Sequence, residues 1–325
     1  MNRQEIDKLK NQVINGNQIT VNEAIVLSNT KEIEYLCNAA NEIRIHFTGN
    51  FIDLCSITNA RSGKCSENCK WCSQSAFHNT DIEIYDLIDK EQALIQARNN
   101  HKKGVHKFSL VTSGKTVSDT TLEKLLDIYS DIKKEMDIHL CASMGLLNKE
   151  QLGKLKNAGI VHYHCNLETA PSFFNNLCTT HTINEKLQTI KWAKEVGLEI
   201  CSGGIVGMGE SMEQRIELAF ELRKIEAKSI PLNFLNPIKG TALENANPLS
   251  DDEVMITIAL FRFINPDANI RFAGGRNMIS HLEEKALNSG INAALVGDLL
   301  TTVGKNIDED MEQFKKLGFN TNKRK

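Results

Sequence analysis

A group of three cysteines is the part of this sequence best suited to chemistry. Cys65, Cys69 and Cys72 lie within the eight residues CSENCKWC, in a C-x3-C-x2-C spacing. Thiolates bind zinc and iron, but a closed zinc site and a cubane of four irons each need four ligands. The segment contains no fourth cysteine or histidine. Either one metal position stays open for another molecule, or a zinc site takes its fourth ligand from a remote part of the chain.

The composition limits the classes of protein that could carry these cysteines. The chain has 325 residues, 41% of them hydrophobic, and its 38 basic and 41 acidic side chains give a formal net charge of -3. This balance does not indicate a nucleic-acid partner. The N-terminal segment lacks the apolar core of a signal peptide, and no apolar run reaches the roughly 18 residues of a membrane helix. We therefore expect a cytoplasmic protein with a small-molecule partner, no membrane partner, and cysteines that serve metal or redox chemistry.

A repeated order of helix, glycine and apolar run predicts the elements that position the cysteines. Charged segments with helical periodicity are followed by a glycine and then by a β-branched or apolar run, and the glycines are Gly104, Gly159, Gly197 and Gly290. Glycine is common where a helix ends in a left-handed residue. Further apolar runs are FIDLCSITN, DIHLCASM, IPLNFLN and NIRFAG. Together they give eight strands that alternate with helices, which is typical of a parallel sheet.

We predict from this pattern an α/β fold, a (β/α)8 barrel of the TIM type, as a single domain over residues 1–325. Residues 1–50 are expected to form a helical extension outside the barrel, residues 51–305 the barrel, and residues 306–325 a C-terminal helix and tail. An open doubly wound sheet is the alternative, because periodicity does not establish closure. In the barrel, CSENCKWC follows the first strand and lies at the C-terminal mouth, where barrel active sites are built.

The cysteine spacing resembles the signature of the radical S-adenosylmethionine superfamily. Over roughly residues 40–320, further segments resemble the biotin synthase family in order and spacing: NARSGKCSENCKWCSQSA, HYHCNLETA, EICSGGIVGMGES, PLNFLNPIKGT, IRFAGGRN and LLTT. The resemblance implies a homodimeric barrel that inserts sulfur into dethiobiotin to form biotin. It also implies a 4Fe-4S cluster on the three cysteines, with its open iron chelated by S-adenosylmethionine. A flavodoxin or ferredoxin would donate the electron.

The same resemblance implies which residues contact the cofactor and the substrate. The residues expected at the adenine and ribose of S-adenosylmethionine are Trp71, Glu168, Ile205, Val206 and Gly207. Those expected at the substrate are Asn166, Asn233, Thr301 and Thr302. Family members usually carry aspartate at the position of Glu168. Taken singly, Trp71 is also explained by packing, Asn233 by a turn and the threonines by a helix cap.

A second, auxiliary iron-sulfur cluster is the less regular part of the resemblance. Many family members hold a 2Fe-2S cluster deep in the barrel with three cysteines and an arginine, and this cluster supplies the inserted sulfur. The matching residues are Cys141, Cys201 and Arg271, but Ser109 stands where the third cysteine is expected. Serine oxygen is a harder and less common ligand for such clusters than thiolate. Either Ser109 binds the cluster, or another thiol replaces it.

Barrel geometry indicates which thiol could replace it. Interior side chains form layers of four from alternate strands. Because Cys141, Cys201 and Arg271 fall on predicted strands three, five and seven, the fourth member of the layer comes from strand one, which carries Cys55. We therefore predict that Cys55 is an auxiliary-cluster ligand, in a 2Fe-2S cluster or a variant of it. The alternatives are that Cys55 packs as a small apolar residue and that Arg271 only neutralises charge, because its guanidinium stays protonated.

Two other functions remain open at this point. The chain could be another radical S-adenosylmethionine barrel, a maturase or mutase with a different small substrate. It could also be a zinc or iron-sulfur protein without catalysis, which would leave S-adenosylmethionine intact. The presence of Cys141, Cys201 and Arg271 favours the biotin synthase interpretation.

Overall fold

The computed structural model describes residues 1–297, 300 and 306–322. Within these residues, nine strands form one sheet: β1 Asp53–Arg61, β2 Lys107–Thr112, β3 His139–Ser143, β4 His162–His164, β5 Glu199–Cys201, β6 Gly204–Val206, β7 Ser229–Phe234, β8 Asn269–Phe272 and β9 Ala293–Leu295. The strands are parallel, in the order β5-β4-β3-β2-β1-β9-β8-β7-β6, and β5 also pairs with β7 between Cys201 and Ser229. This last pairing closes the sheet, so the predicted barrel is confirmed and the open sheet is excluded.

Helices alternate with the strands and cover the barrel. Those in the described part of the chain are α1 Arg3–Ile14, α2 Val21–Ser28, α3 Ile33–Thr48, α4 Lys90–Lys102, α5 Asp119–Glu135, α6 Lys149–Asn157, α7 Ile183–Glu195, α8 Met212–Lys224, α9 Asp251–Ile264, α10 Glu283–Leu287 and α11 Ile307–Lys316. The N-terminal helices pack against α8 and α9. Helix α9 is buried from Val254 to Ile264 because the barrel lies on one side of it and α2 and α3 on the other. None of the described helices is long and apolar enough to cross a membrane.

Alternation along the strands decides which side chains enter the barrel. In β1, Cys55 and Ile57 line the interior, whereas Leu54 packs in the hydrophobic core under the helices. The register places Cys55 beside Lys107 of β2 and Ser109 beside Cys141 of β3. A one-residue shift of any of these pairings would turn the interior side chains toward the helices. The register therefore fixes the composition of the barrel interior.

The fifth barrel strand is interrupted between β5 and β6. A Cβ atom at Gly203 would lie 1.9 Å from the carbonyl oxygen of Pro231 in β7, and one at Gly204 would lie 2.5 Å from that of Glu168. The absence of both side chains lets these backbones approach. The N–H of Glu168 donates to the carbonyl of Gly203 at 3.1 Å, and the N–H of Ile205 donates to the carbonyl of Glu168 at 2.8 Å. The two glycines thus allow the strand to hold the segment that follows β4.

Replacing Gly203 by alanine is expected to lower the free energy of unfolding by about 3 kcal/mol, because the backbone cannot yield to the new methyl group. The matched control is Gly153→Ala. Gly153 lies in α6 with no described atom within 4 Å of a built Cβ, so alanine is expected to stabilise the chain there by about 0.5–1 kcal/mol. Urea denaturation of both variants measures the difference. Equal stabilities would contradict the tight approach at Gly203.

Candidate active site inside the barrel

A cavity of about 370 Å³ in the barrel interior holds both groups of cysteines. Cys65, Cys69 and Cys72 lie in the loop after β1, at the carboxyl ends of the strands, and we call them the rim cysteines. The second group lies within the strands themselves. Together with Arg271, these cysteines form what we call the cavity floor: Cys55, Cys141, Cys201 and Arg271. The predicted ligands of two separate clusters therefore meet in one cavity.

The loop that carries the rim cysteines is held by its own backbone. The N–H of Cys65 donates to the carbonyl of Gln74 at 3.0 Å, and the carbonyl of Cys65 accepts from Ala76 at 2.8 Å. The N–H of Cys72 donates to the carbonyl of Cys69 at 3.0 Å. All three thiols are partly exposed to the cavity, and none forms a disulfide in the described part of the chain. Three thiols around one open space fit an iron-sulfur cluster that keeps one iron open.

Burial affects the protonation of the rim thiols. It raises the pKa of Cys72 to about 11. A hydrogen bond with Cys178 and burial together raise the pKa of Cys69 above its usual range. Both residues are therefore thiols until a metal displaces their protons.

Glu168 and Asn166 lie beside the rim cysteines, on the segment after β4, and line the cavity. Glu168 has a φ of +72°, which is uncommon for a residue with a side chain and persists only where the surroundings impose it. Its carboxylate lies 3.3 Å from Nδ2 of Asn166, whose Oδ1 accepts from the N–H of Gly203 at 2.9 Å. The interrupted strand therefore fixes both the backbone and the side-chain direction at these positions.

Only some of the other residues expected around the cofactor and substrate line the cavity. Trp71, Ile205 and Asn233 line the cavity. Val206 and Gly207 instead border a separate cleft of about 30 Å³. Thr301 and Thr302 lie outside the described residues.

The side-chain amide of Asn233 already takes part in the barrel framework. Its Nδ2 donates to the carbonyl of Gly204 at 2.9 Å, and its Oδ1 accepts from the N–H of Gly274 at 2.7 Å. One N–H of the amide remains, because Nδ2 carries two hydrogens. The framework bonds hold this remaining donor in a fixed direction.

The sulfurs of the cavity floor lie close to one another and to two polar side chains. An interaction between the thiols of Cys55 and Cys141 lowers the pKa of the first and raises that of the second. The sulfur of Cys201 lies 3.3 Å from Nδ1 of His164. The hydroxyl of Ser109 is buried and has no hydrogen-bond partner among the described residues. A buried, unpaired hydroxyl beside three thiols is the arrangement expected where a further group binds.

A tyrosine behind the sheet fixes the strand that carries Cys141. The hydroxyl of Tyr129, in α5, donates to the carbonyl of Cys141 at 2.5 Å and accepts from the N–H of Leu110 at 3.1 Å. This hydroxyl therefore ties β2 to β3 at the level of the floor.

Arg271 and the neighbouring Lys107 give the floor a net positive charge, which Asp53 neutralises only in part. Asp53 forms ion pairs with Arg271 and with Lys107, the second at 2.8 Å. The guanidinium of Arg271 also donates to the carbonyls of Asp53 at 3.0 Å and of Ala294 at 2.9 Å. One carboxylate thus faces two cations.

The positive floor acts on the nearby thiols. The pKa of Cys55 is lowered by its hydrogen bond with Cys141 and by the charges of Arg271 and Lys107, although burial opposes the change. An anionic thiolate cluster is favoured by the same charges. Arg271 therefore contributes positive charge to the floor and is held in place by Asp53 and Ala294.

Two parts of the site received no assigned role from the sequence, although the loop that carries Cys178 and His181 was expected near the mouth of the barrel. Cys178 and His181, after β4, lie against the rim, with the sulfur of Cys178 3.6 Å from that of Cys69. Their C-x2-H spacing was the available signal, but nothing in the sequence indicated Cys69 as their neighbour. Lys186 is a buried cation in the first turn of α7, beside Glu168. The positive charge of a lysine is unfavourable at the positive N-terminal end of a helix dipole, so the helix itself does not favour Lys186 at this position.

Comparisons with known proteins agree with this geometry. The profile of the Radical SAM superfamily matches residues 60–222, and that of the Biotin and Thiamin Synthesis associated domain matches residues 231–320. The biotin synthase of Clostridium botulinum (strain Alaska E43 / Type E3) is 49% identical over 314 residues, 97% of this chain and 98% of that protein. The biotin synthase of Acetivibrio thermocellus is 50% identical over 311 residues, 95% of this chain and 97% of that protein. The crystal structure of methylornithine synthase (PylB), 21% identical, has the same fold, with a TM-score of 0.82 and 97% of each chain covered.

Proposed function

Because this chain belongs to the biotin synthase family of radical S-adenosylmethionine enzymes, we propose that it inserts sulfur into dethiobiotin to form biotin. The observation that carries the proposal is the presence of two groups of cysteines, rim and floor, in one cavity. A radical enzyme that only cleaves S-adenosylmethionine needs the rim group alone. The floor group provides for a second, sulfur-supplying cluster.

The rim cysteines hold a 4Fe-4S cluster in this proposal. Together with S-adenosylmethionine, that cluster supplies a carbon radical able to take hydrogen from an unactivated carbon, which no side-chain acid or base can do at neutral pH. The cavity walls shield this chemistry from water. Trp71 and Ile205 line the part of the cavity assigned to adenine, and the fixed carboxylate of Glu168 accepts hydrogen bonds from the ribose. Val206 and Gly207 contribute by shaping this wall from behind.

Cys55, Cys141 and Cys201 bind the auxiliary iron-sulfur cluster in the same proposal. The proposal is supported by the position of all three thiols in one cavity and by the positive charge of Arg271 and Lys107 beside them. Ser109 faces the same space with an unpaired hydroxyl, which makes it either a hydrogen-bond donor to the cluster or an additional ligand. Arg271 neutralises the cluster's charge.

The remaining contacts follow the same assignment. Asn166 and Asn233 hydrogen-bond the substrate, and Thr301 with Thr302 bind its carboxylate tail. A flavodoxin or ferredoxin donates the electron. The protein acts as a homodimer in the cytoplasm.

Anaerobic incubation of the iron-sulfur reconstituted protein with dethiobiotin, S-adenosylmethionine and a low-potential reductant tests the function. We expect mass spectrometry to detect both biotin and 5′-deoxyadenosine. Cys72→Ala is expected to yield neither product, because it loses a ligand of the rim cluster. Deoxyadenosine without biotin, from protein with both clusters, would favour a different substrate. If protein with both clusters forms neither biotin nor 5′-deoxyadenosine, the enzyme assignment is contradicted.

A further inference from the structure

A second set of metal ligands overlaps the rim cysteines. The sulfur of Cys178 lies 3.6 Å from that of Cys69 and 3.3 Å from Nδ1 of His181. The three ligand atoms lie within 4.8 Å of one another, and Cys178 and His181 are buried. The carboxylate of Glu67 adds an oxygen 2.6 Å from the same nitrogen of His181. Two sulfurs and one nitrogen therefore surround one point, and the Glu67 carboxylate is the hydrogen-bond partner of that nitrogen.

The spacing of these atoms suits a single tetrahedral ion. Two thiolates bound to one zinc ion at about 2.3 Å lie about 3.8 Å apart, and a thiolate and an imidazole nitrogen about 3.6 Å apart. The observed separations of 3.6 and 3.3 Å require only small adjustments to reach these values. Cysteines of a cubane bind different irons and so lie farther apart. Cys178 and Cys69 are thus spaced for one metal ion rather than for two corners of one cluster.

Hydrogen bonds hold the loop that carries Cys69 against the loop that carries Cys178 and His181. The side chain of Asn68 donates to Thr179 at 2.7 Å and accepts from its N–H at 2.9 Å. The N–H of Lys70 donates to the carbonyl of Leu177 at 3.0 Å. After His181, a capping box between Thr182 and Glu185 fixes the start of α7. An ion would therefore find its ligands assembled.

We propose that, in the cluster-free chain, Cys69, Cys178 and His181 bind one divalent transition-metal ion, Zn²⁺ or Fe²⁺, with a water molecule as the fourth ligand. The ion takes the place of any proton that the two sulfurs still carry, and that proton goes to solvent. The site requires no cluster and no cofactor. A further consequence rests on the proposed function: since Cys69 also serves the rim cluster, the ion and the cluster exclude each other, and the ion must leave before the cluster is complete.

Anaerobic titration of the cluster-free, full-length chain with Co²⁺ tests the site. We expect one tightly bound ion with the absorption of tetrahedral cobalt and of thiolate-to-cobalt charge transfer. Cys178→Ala keeps all three rim cysteines and is expected to weaken binding at least about tenfold. Cys65→Ala disrupts the rim motif but leaves the three ligands intact, so it is expected to bind Co²⁺ like the unsubstituted chain. His181→Ala, with folding checked by circular dichroism, is expected to behave like Cys178→Ala.

The opposite pattern would overturn the proposal. If Cys178→Ala binds Co²⁺ unchanged, or if Cys65→Ala loses as much affinity as Cys178→Ala, the ion lies on the rim motif instead. A second measurement addresses the exclusion. One equivalent of Zn²⁺ is expected to slow cluster reconstitution in the unsubstituted chain but not in Cys178→Ala. Equal rates, with the cobalt site intact, would show that Cys69 is not shared, and this result would count against its role in the cluster rather than against the metal site.

Discussion

A Cys55→Ala variant is expected to produce 5′-deoxyadenosine but no biotin. Cys55 forms part of the floor with Cys141 and Cys201 and is remote in sequence from the rim cysteines. In the proposed function, its removal takes one thiolate from the auxiliary cluster and leaves the rim ligands complete. Loss of a direct ligand should exceed the effect of losing its supporting contacts, so we expect biotin formation to fall by at least about 100-fold.

The measurement combines iron and sulfide analysis with product detection on anaerobically reconstituted protein. Cys37→Ala is the matched control, because Cys37 is an equally small buried cysteine in α3, outside the cavity lining, and its substitution should leave both products unchanged. Ser109→Ala separates the two candidate ligands. If Cys55→Ala retains the auxiliary iron and Ser109→Ala loses it, the serine is the ligand and the prediction for Cys55 is wrong.

An Asp53→Asn variant is expected to lose about 3–5 kcal/mol of unfolding free energy. Asp53 is the carboxylate partner of both Arg271 and Lys107, and all three residues are buried. An amide of the same shape leaves two buried cations without a counter-charge. Urea denaturation of the cluster-free chain measures the loss.

Glu199→Gln is the control for this prediction. Glu199 also carries an ion pair, with His162 at 3.0 Å, but its side chain is 56% exposed. An exposed pair contributes at most about 1 kcal/mol. The double variant Asp53→Asn, Lys107→Met should recover part of the stability, because it removes one of the unpaired cations. A loss at Asp53 no larger than that at Glu199 would mean that the network does not depend on this carboxylate.

The barrel and its floor could be predicted from the sequence because both follow from regular rules. Strand alternation has a period of two, and parallel pairing in a closed barrel limits the register. The family resemblance supplied Cys141, Cys201 and Arg271, and these rules were then sufficient to place Cys55 with them. Strand alternation does not reach Glu168 and Asn166, because both residues follow the end of β4. Only the family resemblance placed them in the site.

Contacts between loops and between distant charges could not be predicted in the same way. The approach of Cys178 to Cys69 joins two irregular loops, which have no periodicity. The ion pairs of Asp53 join strands far apart in the chain, and no spacing in the sequence indicates them. Val206 shows a third limit of prediction from sequence. The interruption of the strand at Gly203 and Gly204 decides the direction of the Val206 side chain, and the sequence shows the glycines but not the interruption.

The placement of both cysteine groups in one cavity has a consequence for the order in which the protein is filled and emptied. The floor cysteines lie in the strands, whereas the rim cysteines lie in the loop at the carboxyl ends of the strands. We therefore expect iron and sulfide to reach Cys141 from the end of the barrel that carries the rim cysteines. If both groups hold clusters as proposed, we expect the floor cluster to be assembled before the rim cluster, and we expect replacement of its sulfur to require removal of the rim cluster.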